Sequence, residues 1–185
     1  MLTEQARGTK MMRLTQDQLG VAKGMAAAFV ASLAVWSLPV LLLPPPEIMN
    51  EAANRIAFAL PSQLPPLLTL LYGIAWLAQY RFFNAGAIHG SNSADDKRLQ
   101  SGRAYLENTV EQVLLFFITS MTLAVVLPIN WLQVLPVLAF WFAFCRLLFR
   151  IGYTHGAPAR AFGFAGTFYP TVIGIAVALW FTLFS

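Results

Sequence analysis

The chain predicts an all-α integral membrane helical bundle of five spans, and three observations carry that prediction. Hydrophobic residues make up 58% of the 185 and charged residues only 11%, with a mean hydropathy of +0.63, far from the balance of a soluble domain. Uncharged apolar runs close to the ~20 residues that cross a bilayer recur along it. One of them, Gln112 to Cys145, continues for 34 residues without a charge. As a single helix at ~1.5 Å per residue it would measure about 51 Å against a ~30 Å hydrocarbon core, so it has to fold back on itself.

Residues 1–20 read as a polar tail and residues 21–43 as the first span, whose core from Gly24 to Leu43 carries no charge. It ends in Leu43-Pro44-Pro45-Pro46 without a small-x-small cleavage pattern, which favours a retained helix over a cleaved signal peptide. Residues 44–60, with Glu47, Glu51 and Arg55, form a short outer connection with room for an interfacial turn. The second span covers Ile56 to Tyr80. Residues 84–97 are rich in Gly, Ser, Asn and Asp and read as a flexible inner loop. Ser93 followed by Asp96 resembles a capping box for a helix that runs through Arg98 and Arg103 into the membrane.

The long run breaks at Leu127-Pro128-Ile129-Asn130, where Pro cannot continue a helix, Asn130 can cap the next one and Trp131 suits the interface. Two spans need roughly 40 residues and a turn besides, more than this run holds, so the flanks must supply the rest. Upstream that draws Asn108 and Glu111 into the membrane or its headgroup edge; downstream it draws in Arg146 and Arg150. Ionisable groups at that depth are costly enough to be functional candidates, with snorkelling helix ends as the alternative. The last span runs from about Phe164 to Phe184. The whole of 1–185 is one domain, its four-helix core at 56–184.

Charge sets the orientation. With five spans, one side receives Arg7, Lys10, Arg13, Lys23, Arg81, Lys97, Arg98, Arg103, Arg146, Arg150 and Arg160, and the other only Arg55, out of 12 basic residues. The positive-inside rule then puts the N-terminus in the cytoplasm and the C-terminus outside, in the inner (plasma) membrane of the cell. The net charge of +4 follows from topology and asks for no nucleic acid. The single Cys145 leaves no disulfide framework and reads as a packing residue. His89 in a loop and His155 in a turn offer neither paired haem ligands nor a metal cluster.

On the third helix Ala104, Asn108 and Glu111 share a face, with Gln112 beside them. On the fourth, Arg146, Arg150 and Tyr153 form a stripe, with Phe149 alongside. Facing stripes of Asn and Glu against Arg and Tyr suit a small zwitterionic ligand, carboxylate to Arg and ammonium to Glu. An interhelical clamp that only fixes helix register would show the same spacing.

These residues resemble the MAPEG superfamily, the membrane-associated proteins of eicosanoid and glutathione metabolism, over Pro61 to Phe184, and the chain looks like a bacterial-type member with the first span added. The resemblance implies a four-helix core, a homotrimer, and glutathione as co-substrate bound between subunits near the cytosolic face. Arg81 matches the Arg that closes the family's first core helix, and Asn108 with Glu111 match its Asn and acidic pair. Arg146 and Tyr153 match an Arg and a Tyr of the third core helix, and Arg160 the Arg beside the thiol. Two positions depart: Arg103 stands five residues before Asn108, with Ala104 at the family's Arg position, and Phe149 stands where Tyr or His is common. On this reading Arg81, Arg103, Asn108, Glu111, Arg146 and Tyr153 hold glutathione, and Arg160 is catalytic, favouring the thiolate. The implied function is a detoxifying transferase or peroxidase that meets lipophilic electrophiles from the bilayer. A non-catalytic lipid-binding or scaffold member is the alternative; a transporter is disfavoured, since no internal repeat or pair of broken helices is seen.

Overall fold

The computed structural model describes residues 15–84 and 96–184, and there the chain is helical in six segments. They are α1 (Gln16–Leu42), α2 (Ala52–Ala59), α3 (Leu64–Phe83), α4 (Lys97–Val126), α5 (Val134–Gly152) and α6 (Ala157–Phe184), with single 3-10 turns at Pro61–Gln63 and Ile129–Trp131. Among the described residues five stretches are long and apolar enough to cross a membrane, α2 and α3 together supplying the second.

Helix α1 begins at Gln16, ahead of the expected 21, because Thr15 and Gln18 form a capping box: Thr15 Oγ1 accepts from Gln18 N at 3.2 Å and Gln18 Oε1 from Thr15 N at 2.8 Å. It packs most extensively on α6. The seam is a stripe of small residues four apart, Gly20, Gly24, Ala28 and Ser32, closed by Trp36, the device that lets membrane helices approach without polar cost. A Cβ on Gly24 would stand 3.1 Å from Ala161 Cβ. Trp36 Nε1 donates to the carbonyl of Pro170 at 3.1 Å, pinning the middle of the seam.

Pro170 lies inside α6 and has no N–H for the carbonyl of Gly166, four residues back. Trp141 Nε1 from α5 donates to that carbonyl at 2.7 Å. An orphaned acceptor in the bilayer core costs several kcal/mol in order of magnitude, so the partner from a second helix is what makes the proline tolerable. The α5–α6 seam is tighter still: an added Cβ would meet the Phe149 backbone nitrogen at 2.4 Å from Gly163 and Cys145 Sγ at 2.5 Å from Gly166.

The second span differs from the uniform helix expected over Ile56 to Tyr80. Proline cannot donate within a helix, so Pro61 interrupts it, and Pro65 and Pro66 open α3. Arg55, expected only as the lone outer cation, is buried. Its Nε donates to the carbonyl of Ala124 at 2.7 Å, one Nη to Asn50 Oδ1 at 2.7 Å and the other to the carbonyl of Leu127. A cation on the last carbonyls of a helix satisfies its orphan acceptors and its dipole together, so α2 is the cap of α4.

Helix α4 has 30 residues, about 45 Å at ~1.5 Å each, and so overruns a ~30 Å core by about ten residues. Its cap is Asp96, which accepts from Arg98 N at 3.0 Å and Leu99 N at 3.1 Å; Ser93 and the expected loop over 84–97 lie mostly outside the described residues. The chain turns back after Val126 as expected, but Asn130 is exposed and sits in the 3-10 turn, while Gln133 takes the cap position of α5 without a side-chain bond. Helix α5 runs to Gly152 and so takes Arg146 and Arg150 into its last turns.

Candidate functional site

Polar residues near the start of α4 and the end of α5 converge where these helices meet α3. Arg146 is wholly buried (0% exposed). Its Nη1 donates to Asn108 Oδ1 at 3.0 Å and its Nη2 to Thr109 Oγ1 at 2.9 Å. The guanidinium carbon lies 4.3 Å from the centre of the Phe149 ring and 5.5 Å from that of Tyr105. Tyr105 is buried, and its hydroxyl donates to the carbonyl of Thr69 on α3 at 3.4 Å. Arg146 thus ties α5 to α4 through neutral partners and ring faces, and Tyr105 carries the link on to α3.

Asn108 is half-buried, and its orientation follows from chemistry. A guanidinium offers only donors, so the Asn108 carbonyl oxygen must face Arg146 and the amide nitrogen is turned away with both hydrogens available. Arg146 Nε and Gln112 Oε1 are buried without a protein partner among the described residues. This leaves a donor and an acceptor in the bundle interior beyond those already matched.

A second group gathers at the α5–α6 turn. Arg160, half-buried, lies with its guanidinium carbon 4.5 Å from the centre of the Tyr153 ring. Tyr153 in turn packs edge-on against Phe149, ring centres 5.2 Å apart at 75°. Gly156 turns the chain with φ +96°, a conformation L side chains rarely adopt, and α1 braces the segment that follows, because Gly20 abuts Pro158 and Gly24 abuts Ala161. Helix α1 is therefore packed against the residues on either side of Arg160.

The residues singled out from sequence divide accordingly. Asn108 and Arg146 meet directly; Tyr153 and Arg160 meet directly; Phe149 connects the two pairs. Arg81 is exposed on the last turn of α3, Arg103 is half-buried and Glu111 exposed, and none of the three enters these contacts within the chain. Thr109, Tyr105 and Trp76 were not singled out, and each touches an arginine of α5. Thr109 could have been read from its place beside Asn108; the ring contacts cross between helices and leave no spacing to read. Among the described residues no group of three or more His, Cys, Asp or Glu gathers to hold a metal.

Glu111 lies 15 residues from the end of α4, so its Cα stands about 22 Å from that end of the helix, inside a ~30 Å core. It is exposed on the single chain. Facing lipid, a carboxylate at such depth costs ~2.5 kcal/mol or more, so this face of α4 calls for cover.

The family model described as MAPEG family matches residues 59–180. That span runs from the end of α2 through most of α6 and leaves α1 outside. Transmembrane protein 79 of Mus musculus is 30% identical over 84 residues, which are 45% of this chain and 21% of that protein. The chain therefore spans only about a fifth of the length of that curated relative. No solved structure matches the chain.

Proposed function

The chain belongs to the MAPEG family, and from that premise we propose that it is a membrane-bound, glutathione-dependent transferase or peroxidase-like protein acting on lipophilic electrophiles. The observation that carries the reading is Arg160, held over the Tyr153 ring at 4.5 Å and still half-exposed. A fixed guanidinium is suited to a thiol, because it favours the thiolate and so raises the fraction of the reactive nucleophile at neutral pH. In conjugation the thiol proton leaves to solvent, the thiolate sulfur forms a carbon–sulfur bond with the electrophile, and the displaced group departs with the electron pair. In peroxide reduction two glutathione molecules are oxidised to the disulfide while the hydroperoxide becomes an alcohol and water.

The peptide is held at the inner mouth in this reading. Asn108 offers amide donors to a carboxylate or carbonyl, and Glu111, one turn on, accepts from the ammonium group. Tyr153, Arg81 and Arg103 complete the binding set, and Arg146 acts from inside by holding the Asn108 oxygen. A homotrimer supports the arrangement physically, because a second copy covers the Glu111 face that lipid would penalise. The distribution of basic residues supports a cytoplasmic position for this end of the bundle. A non-catalytic lipid-binding role is the second reading, favoured by Phe149, which is buried and fills with hydrocarbon a position that could have carried a polar ligand contact.

Turnover separates the two. Purified wild-type protein in lipid nanodiscs should conjugate glutathione to an apolar model electrophile, and Arg160→Ala should lower the rate about ten- to hundredfold, the equivalent of ~1.5 to 3 kcal/mol for a charge-assisted contact. Absence of turnover by wild type across several electrophiles and a hydroperoxide would leave the lipid-binding reading in its place.

A further inference from the structure

Arg150 is the one cation of α5 that neither the packing nor the proposed reaction has absorbed. It stands in the last turn of the helix, at the inner end of the span, and is half-buried. Its guanidinium carbon lies 4.5 Å from the centre of the Trp76 ring on α3 and 5.7 Å from that of Tyr105 on α4. Its side chain has no hydrogen-bond partner among the described residues. Arg146, one turn deeper, has spent both Nη groups on Asn108 and Thr109.

The two rings are themselves fixed. Trp76 stacks on Tyr80 with centres 5.3 Å apart at 17°. It also lies so close to α4 that a Cβ on Gly102 would stand 2.0 Å from Cζ3 of the indole. Tyr105 is 1% exposed. A guanidinium is planar, with all five N–H bonds in its plane, so ring faces attract the cation without occupying its donors. Arg150 is therefore held by three helices while its hydrogen-bonding edge stays available, the preorganised state from which a planar oxyanion is bound at small entropic cost.

We propose that Arg150, clamped by Trp76 and Tyr105, is an oxyanion-binding position at the inner mouth of the bundle, taking a carboxylate or phosphate on the free edge of its guanidinium. Two sources share that chemistry. One is the headgroup phosphate of an anionic phospholipid in the inner leaflet, which a cation beside an interfacial tryptophan is well placed to meet. The other is a carboxylate of a soluble ligand. For the second source the inference rests on the glutathione reading above; for the first it does not.

The test compares wild type, Arg150→Gln and Arg150→Lys in two arms, with Arg98→Gln as a control for diffuse positive charge and Trp76→Leu to loosen the clamp while keeping the cation. Size-exclusion profiles matching wild type qualify each variant. In one arm glutathione binding is measured in phosphatidylcholine nanodiscs; in the other, retention of phosphatidylglycerol over phosphatidylcholine is read by native mass spectrometry from mixed-lipid nanodiscs. The expected result is a loss confined to one arm: about ten- to hundredfold weaker glutathione binding, or loss of the phosphatidylglycerol preference, in Arg150→Gln. Arg150→Lys should recover only part, since an ammonium lacks the flat fork, and Trp76→Leu should fall between. Wild type that ignores glutathione but retains phosphatidylglycerol through Arg150 removes the glutathione reading and leaves the oxyanion position standing. Arg150→Gln indistinguishable from wild type in both arms, or wild type that binds neither probe, overturns it.

Discussion

Gly163→Ala tests whether direct backbone contact closes the α5–α6 seam. The added Cβ would stand 2.4 Å from the Phe149 backbone nitrogen, 2.7 Å from the Cys145 carbonyl oxygen and 2.7 Å from the Phe149 Cα. All three are backbone atoms of one helix and none can rotate away. Reaching ordinary contact takes a separation of about 1 Å between α5 and α6, and overpacking of that kind costs ~3 kcal/mol, the upper end of the usual range. For a chain of this length that corresponds to a fall in midpoint of roughly 6 to 12 °C, readable by a thiol-reactive dye or by static light scattering in detergent. The neighbouring Gly166→Ala supplies the contrast, because its Cβ would meet the Cys145 Sγ at 2.5 Å but the Cys145 Cβ only at 3.4 Å. Cys145→Ala should therefore rescue Gly166→Ala and leave Gly163→Ala unrepaired, with light scattering as the readout where the thiol is gone. Unchanged melting of Gly163→Ala, or equal rescue of both, would refute the reasoning.

Two further outcomes follow from local hydrogen bonds. Trp141→Phe removes the donor that serves the Gly166 carbonyl at 2.7 Å and should cost ~1 to 3 kcal/mol in detergent unfolding, whereas in a Pro170→Ala background, where the helix regains its own N–H, the same change should cost markedly less. Hydrogen bonds from the Leu99 amide, the Tyr80 hydroxyl and the Arg98 amide hold the Asp96 carboxyl below its ordinary range. The depressed value means that the cap stabilises α4 fully above the ordinary aspartate range and is lost as pH falls through the lowered one. Amide exchange at Arg98 and Leu99, corrected for intrinsic rates, should lose protection only in that acid window, and Asp96→Asn should flatten the dependence.

Helical spacing explains how much of the site was legible. Successive residues turn by about 100°, so from Asn108 the buried direction toward Tyr105, Thr109 and Gln112 lies about 40 to 100° to one side, and Glu111 about 60° to the other. Asn108 and Glu111 share a face in the loose sense of three-residue spacing, yet the boundary of the bundle passes between them. The same uncharged run that demanded a fold-back also demanded polar flanks, and α4 and α5 do take in Asn108, Glu111, Arg146 and Arg150. Arg55 was visible as the lone outer cation but its role was not, because the carbonyls it caps belong to a helix end about 70 residues later. The stripe Gly20, Gly24, Ala28, Ser32 is plain in the sequence, whereas its partner α6 is not, since small residues permit close approach without naming what approaches.

Glutathione binding to the purified protein in nanodiscs, wild type against Asn108→Ala and Glu111→Gln, tests the central claim most directly. The account predicts saturable binding by wild type and about ten- to hundredfold weakening in each variant, since each removes a charge-assisted contact to the peptide. It further predicts that glutathione with its α-amino group acetylated binds wild type and Glu111→Gln alike, because Glu111 then has no ammonium to receive. Wild-type protein that shows no saturable binding, or variants that bind glutathione as tightly as wild type, would contradict it.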